Sequence, residues 1–243
     1  DIQNRMIDSG EEANLDEALK IAAESDVIVA AVGENAILCG ENRDRTTLRL
    51  PGKQEEFVEK LVATGKPGVL VVFGGRAQVI SGLAEKCAAV IQAWYPGEEG
   101  GNAVADILYG KVSPSGKLSV SYPAEEIREP ICYNTSVEKD SRIAYPFGYG
   151  LSYTTFEYSN IMVNGKPASN SQITDDQRMT TADCDARFNI SVDVENTGKV
   201  DGDEIVQLYV SPDGSNANIR PIQLQGFARV SLKAGEKKTI TFG

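Results

Sequence analysis

Short apolar runs, each preceded by a stretch of helical spacing, recur along the first half of the chain, and this alternation restricts the fold more than any other feature. Between residues 11 and 25 the apolar positions Leu15, Ala18, Leu19, Ala22 and Ala23 fall at helical intervals, and residues 26–33 then read as a short, fully buried strand. The unit repeats. Residues 51–64 predict a helix with Pro51 near its start and Gly65 past its end, followed by the apolar run 69–73. A third helix over 78–86 leads to a strand over 88–94, and a fourth helix over 101–109 stops at Gly110 before a strand over 117–122.

Continuous apolar strands alternating with helices predict an α/β fold, a mainly parallel sheet with helices on both faces. The turns that follow the strands form the functional edge of such a sheet, so sites are sought after Val32, Phe73 and Trp94. Only about four strands can be counted and a helix opens the pattern, which suggests that the domain lacks its first strand or strands. Past Pro123 the alternation stops. Residues 123–160 are rich in Pro, Gly, Tyr and Phe and read as a packed connector. Beyond Asn160, short strands over 188–194, 204–210, 227–232 and 239–242 are separated by turns at Asn196-Thr197-Gly198 and Ala234-Gly235-Glu236, the pattern of an all-β sandwich. The expected division is an α/β domain over 1–124, a connector over 125–160 and a β-sandwich over 161–243.

Composition removes several classes of function. The net charge of −11 gives no basic footprint for nucleic acid, and no run of about 18 apolar residues is present to span a membrane, so a soluble protein is expected. The compartment stays open among cytoplasm, periplasm and the exterior, as does self-association into a homo-oligomer. The chain has no histidine, which removes the usual proton shuttle and transition-metal ligand. Cys39, Cys87, Cys132 and Cys184 lack the CxxC spacing of a metal or redox site. No cofactor and no metal are implied, and acid/base chemistry falls to carboxylates, Lys or Tyr.

The loop after the first strand, residues 33–45, carries three acids and two arginines on the functional edge. A carboxyl at its tip, Glu41, is placed to protonate a leaving oxygen and then, as carboxylate, to activate water. Equally, Glu41 is one of 35 acids on an acidic chain, and spacing alone favours a solvated surface role. Asp44 and Arg45, adjacent and opposite in charge, more often order a loop than touch a substrate. Pro96-Gly97-Glu98-Glu99-Gly100-Gly101-Asn102 has neither phosphate-binding glycine pattern and reads as a structural turn. Trp94, the sole tryptophan, stands at a strand end where it could stack on a sugar or simply pack. The sequons at Asn134 and Asn189 are too short a pattern to decide anything.

Five blocks, in order, resemble glycoside hydrolase family 3: Gly33-Glu34; Gly40-Glu41-Asn42-Arg43-Asp44-Arg45 with residues 48–54; residues 93–116 (AWYPGEEGGNAVADILYGKVSPSG); residues 145–156 (YPFGYGLSYTTF); and residues 195–210 (ENTGKVDGDEIVQLYV) with Gly226-Phe227. The resemblance implies an α/β sandwich followed by a fibronectin type III-like β-sandwich, within a retaining exo-acting β-glycosidase. It further implies a (β/α)8 barrel on a polypeptide segment absent here, bearing the aspartate nucleophile. In that pattern the acid/base glutamate lies three residues before the Asp of an E-G-x-D-R-like stretch, the place of Glu41 before Asp44-Arg45. Asn42 stands where glycine is usual and Cys39 where serine is frequent. The implied substrate is a β-glycoside or oligosaccharide with a terminal non-reducing sugar, and this segment alone is expected to be inactive. The alternative is a non-catalytic module that binds carbohydrate or a partner, in which Glu41 only orders its loop.

Overall fold

The computed structural model describes residues 15–35, 37–134, 140–168, 187–210 and 222–243. The chain divides into two compact units. One comprises Asp1–Val104, Ser121–Ile131 and Ser141–Tyr145, the other Ala105–Val120, Cys132–Asp140 and Pro146–Gly243. Residues expected as a single connector are thus shared between the two.

The first unit is built on three parallel strands in the order β1 (Ile28–Gly33), β2 (Gly68–Phe73) and β3 (Ala89–Trp94). Parallel neighbours need a crossover, and helices α1 (Leu15–Glu24), α2 (Gln54–Val62), α3 (Ser81–Ala84) and α4 (Gly100–Leu108) alternate with the strands along the chain. Ala18, Leu19 and Ala22 of α1 meet Phe57 and Leu61 of α2 around Ile28, because the i, i+3, i+4 spacing gathers them on one stripe of each helix. In the central strand Leu70, Val71 and Val72 are fully buried, each contributing about 1.5–3 kcal/mol by leaving water.

Three expectations change. Strand β1 is not buried on both faces: Ile28, Ala30 and Val32 are covered, whereas Val29, and Val27 just before the strand, are each 51% exposed, on a face that the described residues leave bare. The third helix shrinks to the single turn α3, since tertiary bonds claim residues at its N-terminal side. Val79 N–H donates to the Leu48 carbonyl at 2.9 Å, and the Ser81 hydroxyl donates to that of Ala124 at 2.5 Å. The expected strand over 117–122 survives only at Tyr122, in β4 (Tyr122–Pro123), which runs antiparallel to β5 (Ile143–Tyr145). Its earlier residues are diverted to the Gly148-Tyr149 turn: Leu118 N–H donates to Tyr149 O at 2.8 Å and Leu118 O accepts from Gly148 N–H at 2.7 Å.

The second unit carries two antiparallel sheets. One has the order β11 (Lys237–Phe242), β8 (Ile190–Asn196), β6 (Phe156–Val163), β7 (Lys166–Pro167), and the other pairs β10 (Gln223–Leu232) with β9 (Gly202–Val210). Val192, Val194, Val206, Val230 and Leu232 form the core, with Phe156, Tyr158 and Ile161 packed against it. Strand β6 begins ahead of the expected onset at residue 160. At Asn160 the backbone takes φ 51° and the register with β8 shifts between Ser159 and Met162, so this bulge breaks the apolar alternation that sequence reading depends on.

Asn196, fully buried at the end of β8, uses its whole side chain. Its amide donates to Val200 O at 2.9 Å and Leu232 O at 3.2 Å, while its carbonyl accepts from the Thr154 hydroxyl at 2.6 Å and Gly198 N–H at 3.1 Å. This is the expected turn at Asn196-Thr197-Gly198, closed by the asparagine itself.

Candidate active site

The loop that carries Glu41 leaves the sheet at Gly33, where φ is +133° and a Cβ would stand 1.7 Å from the Phe73 carbonyl oxygen. Only glycine can pair in register with Phe73 here and still turn away. Gln54, the first residue of α2, clamps both backbone polar groups of that residue: its carbonyl accepts from Gly33 N–H at 2.7 Å and its amide donates to Gly33 O at 3.1 Å.

The next residue, Glu34, donates its N–H to Phe73 O at 2.9 Å, and its carboxylate is wholly removed from solvent. Two arginines compensate it. Arg45 Nη1 reaches Oε1 at 2.7 Å, and Arg76 Nη1 reaches Oε1 at 2.9 Å and Oε2 at 3.0 Å. A buried carboxylate persists only when paired and hydrogen-bonded in this way. Gly74 allows the approach, since a Cβ there would lie 3.3 Å from Glu34 Oε2.

The same arginines hold the loop backbone. Arg45 Nη2 donates to Arg49 O at 3.0 Å, while Arg76 donates through Nη1 to Leu38 O at 3.0 Å and through Nη2 to Arg43 O at 2.5 Å. Asn35 adds an Asx turn, its side-chain oxygen accepting from Ile37 N–H at 3.0 Å and Leu38 N–H at 3.2 Å. The tip is the turn Gly40-Glu41-Asn42-Arg43, closed by Arg43 N–H donating to Gly40 O at 3.1 Å. Asn42 has φ 56°, a left-handed conformation that glycine adopts freely and asparagine tolerates best among other residues. The asparagine that replaces the usual glycine therefore suits the same backbone.

Glu41 stands exposed on this turn with no hydrogen-bond or ion-pair partner among the described residues, and exposed Asp44 is likewise unpaired. Arg45 bonds Glu34 rather than its neighbour Asp44. Trp94 does not join the loop. It ends β3 at φ 53°, half-buried, with its ring edge-on to that of Tyr122 at 5.9 Å. The turn before α4 is closed by Gly100 N–H donating to Gly97 O at 3.1 Å. A shallow, open hollow of about 330 Å³ beside the ion network is lined by residues including Gly33, Asn35, Leu38, Gln54 and Phe73. Glu41 is not part of its wall.

Sequence reading missed Arg76 and the clamp by Gln54. Arg76 follows the glycine pair after β2, on the edge where sites were sought, but nothing in its spacing ties it to a loop over thirty residues earlier. Among the described residues no group of three His, Cys, Asp or Glu could hold a metal ion, and no helix is long and apolar enough to cross a membrane. Cys39, Cys87 and Cys132 are free thiols, and Cys184 lies outside the described residues.

Residues 1–153 match the glycosyl hydrolase family 3 C-terminal domain, and residues 204–243 match a fibronectin type III-like domain. The chain belongs to glycoside hydrolase family 3. Its architecture is accordingly an α/β sandwich followed in sequence by an all-β, fibronectin type III-like sandwich. Among its relatives in this family, a β-xylosidase of Formosa agariphila is 37% identical over 247 residues, covering 97% of this chain and 32% of that protein. A periplasmic β-glucosidase of Salmonella typhimurium is 37% identical over 250 residues, covering 95% and 31%. The crystal structure of a mutant β-glucosidase from Listeria innocua in complex with laminaribiose superposes with a TM-score of 0.79 at 30% identity, over 96% of this chain and 33% of that one. The chain thus spans about a third of the length of these family 3 relatives.

Proposed function

We propose that this chain is the acid/base-bearing part of a retaining, exo-acting β-glycosidase, with Glu41 as the proton donor and a nucleophilic aspartate supplied by a barrel domain on the remaining polypeptide. The observation that carries this reading is Glu41 itself: an unpaired, exposed carboxyl at the tip of a loop whose base is clamped at Gly33 and Glu34. A surface acid needs no such support. A proton donor does, because misplacement by about 1 Å can cost a hundredfold in rate.

In the first step Glu41 gives its proton to the glycosidic oxygen as the aspartate attacks the anomeric carbon. In the second it takes a proton from the water that releases the sugar, the two carboxyls standing about 5–5.5 Å apart. The pocket that grips the sugar is proposed to lie mainly on the barrel. The proposed substrate class is a terminal non-reducing β-glucoside or β-xyloside, following the activities in the names of the relatives. Asp44, exposed and unpaired in the same loop, is proposed as a substrate contact, whereas Arg45 orders the loop through Glu34.

The test is Glu41→Gln in the protein that includes the barrel, assayed on aryl β-glucosides and β-xylosides. Turnover of a poor leaving group should fall by about 10²–10⁴-fold. A strongly acidic phenol should suffer less, and added azide should restore turnover as a glycosyl azide. Unchanged turnover on the poor leaving group refutes the assignment and favours a binding module.

A further inference from the structure

We propose that Arg76 is a positioning residue for Glu41, an inference that rests on the acid/base reading above. Its guanidinium joins three separate parts of the loop. It grips both oxygens of the buried Glu34 carboxylate at the base, at 2.9 and 3.0 Å, and then the Leu38 and Arg43 carbonyls at 3.0 and 2.5 Å. Those two carbonyls flank the turn Gly40-Glu41-Asn42-Arg43, so the tip is held from both sides by a side chain from the loop that follows β2, three residues past its end. Arg45, the other partner of Glu34, bonds only Arg49 O beyond it among the described residues and holds the base alone.

The chemistry needs arginine. The acceptors are divided between Nη1, which meets Glu34 and Leu38 O, and Nη2, which meets Arg43 O, so two donor nitrogens at a fixed separation are used, whereas the ammonium of lysine is a compact point charge. The Arg76 side chain is 22% accessible: its bonds to Glu34 and Leu38 are part-buried, whereas its bond to Arg43 O and the carboxyl it serves lie in the open. Releasing Arg76 leaves the Glu34–Arg45 pair in place but frees the tip. The expected result is a carboxyl of unchanged chemistry in an inconstant place.

The experiment is a double-mutant cycle in the barrel-containing protein: Arg76→Ala, Glu41→Gln and the combination, with kcat/KM measured on two aryl β-glycosides, one with a strongly and one with a weakly acidic phenol. Arg76→Ala should lower kcat/KM on the weakly acidic phenol by about 10–100-fold, in line with the cost of small misplacements. On the strongly acidic phenol, which needs little protonation, it should change much less. Added to Glu41→Gln it should cost nothing further, because no acid is left to place. A purely structural role would lower both substrates by one factor and multiply with Glu41→Gln, and either result overturns the inference. Should Glu41→Gln leave both substrates at the wild-type rate, the acid/base reading fails and takes this inference with it. That outcome is distinct from a slow Glu41→Gln enzyme on which Arg76→Ala acts independently. If Arg76→Ala loses its melting transition, Arg76→Lys, which keeps the charge but not the fork, is read in the same cycle by the same criteria.

Discussion

Gly33→Ala should cost the first unit a large part of its stability. The built Cβ would lie 1.7 Å from Phe73 O, 2.7 Å from Phe73 C and 2.8 Å from Phe73 N, all backbone atoms of the central strand, so no side chain can swing away to make room. Strand β1 must separate from β2 at its end or leave φ +133°. Either movement breaks the bond from Glu34 N–H to Phe73 O and the two bonds made by Gln54. Three bonds at about 1 kcal/mol each, with residual backbone strain of about 1–3 kcal/mol, give about 4–6 kcal/mol. A domain's whole stability is about 5–15 kcal/mol. In urea, at about 2 kcal/mol per molar, the midpoint should fall by about 2–3 M or the transition should vanish. The assay is urea unfolding of the 243-residue chain followed by Trp94 fluorescence, which reports the first unit because this is the sole tryptophan. Gly65→Ala is the control. There φ is +81° but nothing lies within 4 Å of the built Cβ, so only the left-handed penalty of about 1–2 kcal/mol applies. If the two variants shift the midpoint equally, steric contact with Phe73 is not what requires glycine at position 33.

Two further outcomes follow from buried polar groups. Asn196→Ala leaves Leu232 O and Gly198 N–H without their partner and should destabilise the second unit by about 2–4 kcal/mol, seen as an earlier thermal transition; Asn196→Asp should not restore it, because an ionised carboxylate cannot donate to Val200 O or Leu232 O. Tyr122 is buried with no partner for its hydroxyl among the described residues, so Tyr122→Phe should be neutral or stabilising in a thermal melt at pH 7. Burial raises the pKa of the Tyr122 phenol, and that of Tyr158 rises through burial and then the charge of Glu204. The folded state thus holds these protons more tightly than the unfolded chain, and stability should be lost as pH climbs above about 10, the ordinary phenol value. Tyr122→Phe should flatten that alkaline loss in the first unit, and an unchanged slope would refute the role of its burial.

The sequence by itself determined the order of elements and the family. Periodicity separates the parallel α/β half from the β-sandwich half because a two-residue and a 3.6-residue repeat leave different apolar patterns. Motif order did the same for Glu41: the glycines and the E-N-R-D-R run are local, so a linear reading finds the loop and its candidate acid. The tertiary structure decided what depends on distant partners. That β1 shows a bare face among the described residues depends on what packs against it, while the diversion of residues 117–121 to the Gly148-Tyr149 turn and the start of β6 before its bulge follow from which backbone bonds win in three dimensions. The supports of the loop belong to this class. Gln54 and Arg76 reach Gly33 and Glu34 across 21 and 42 positions, and no spacing rule links residues that far apart. Local chemistry is written in the chain, whereas the neutralisation of a buried carboxylate is a property of the space around it.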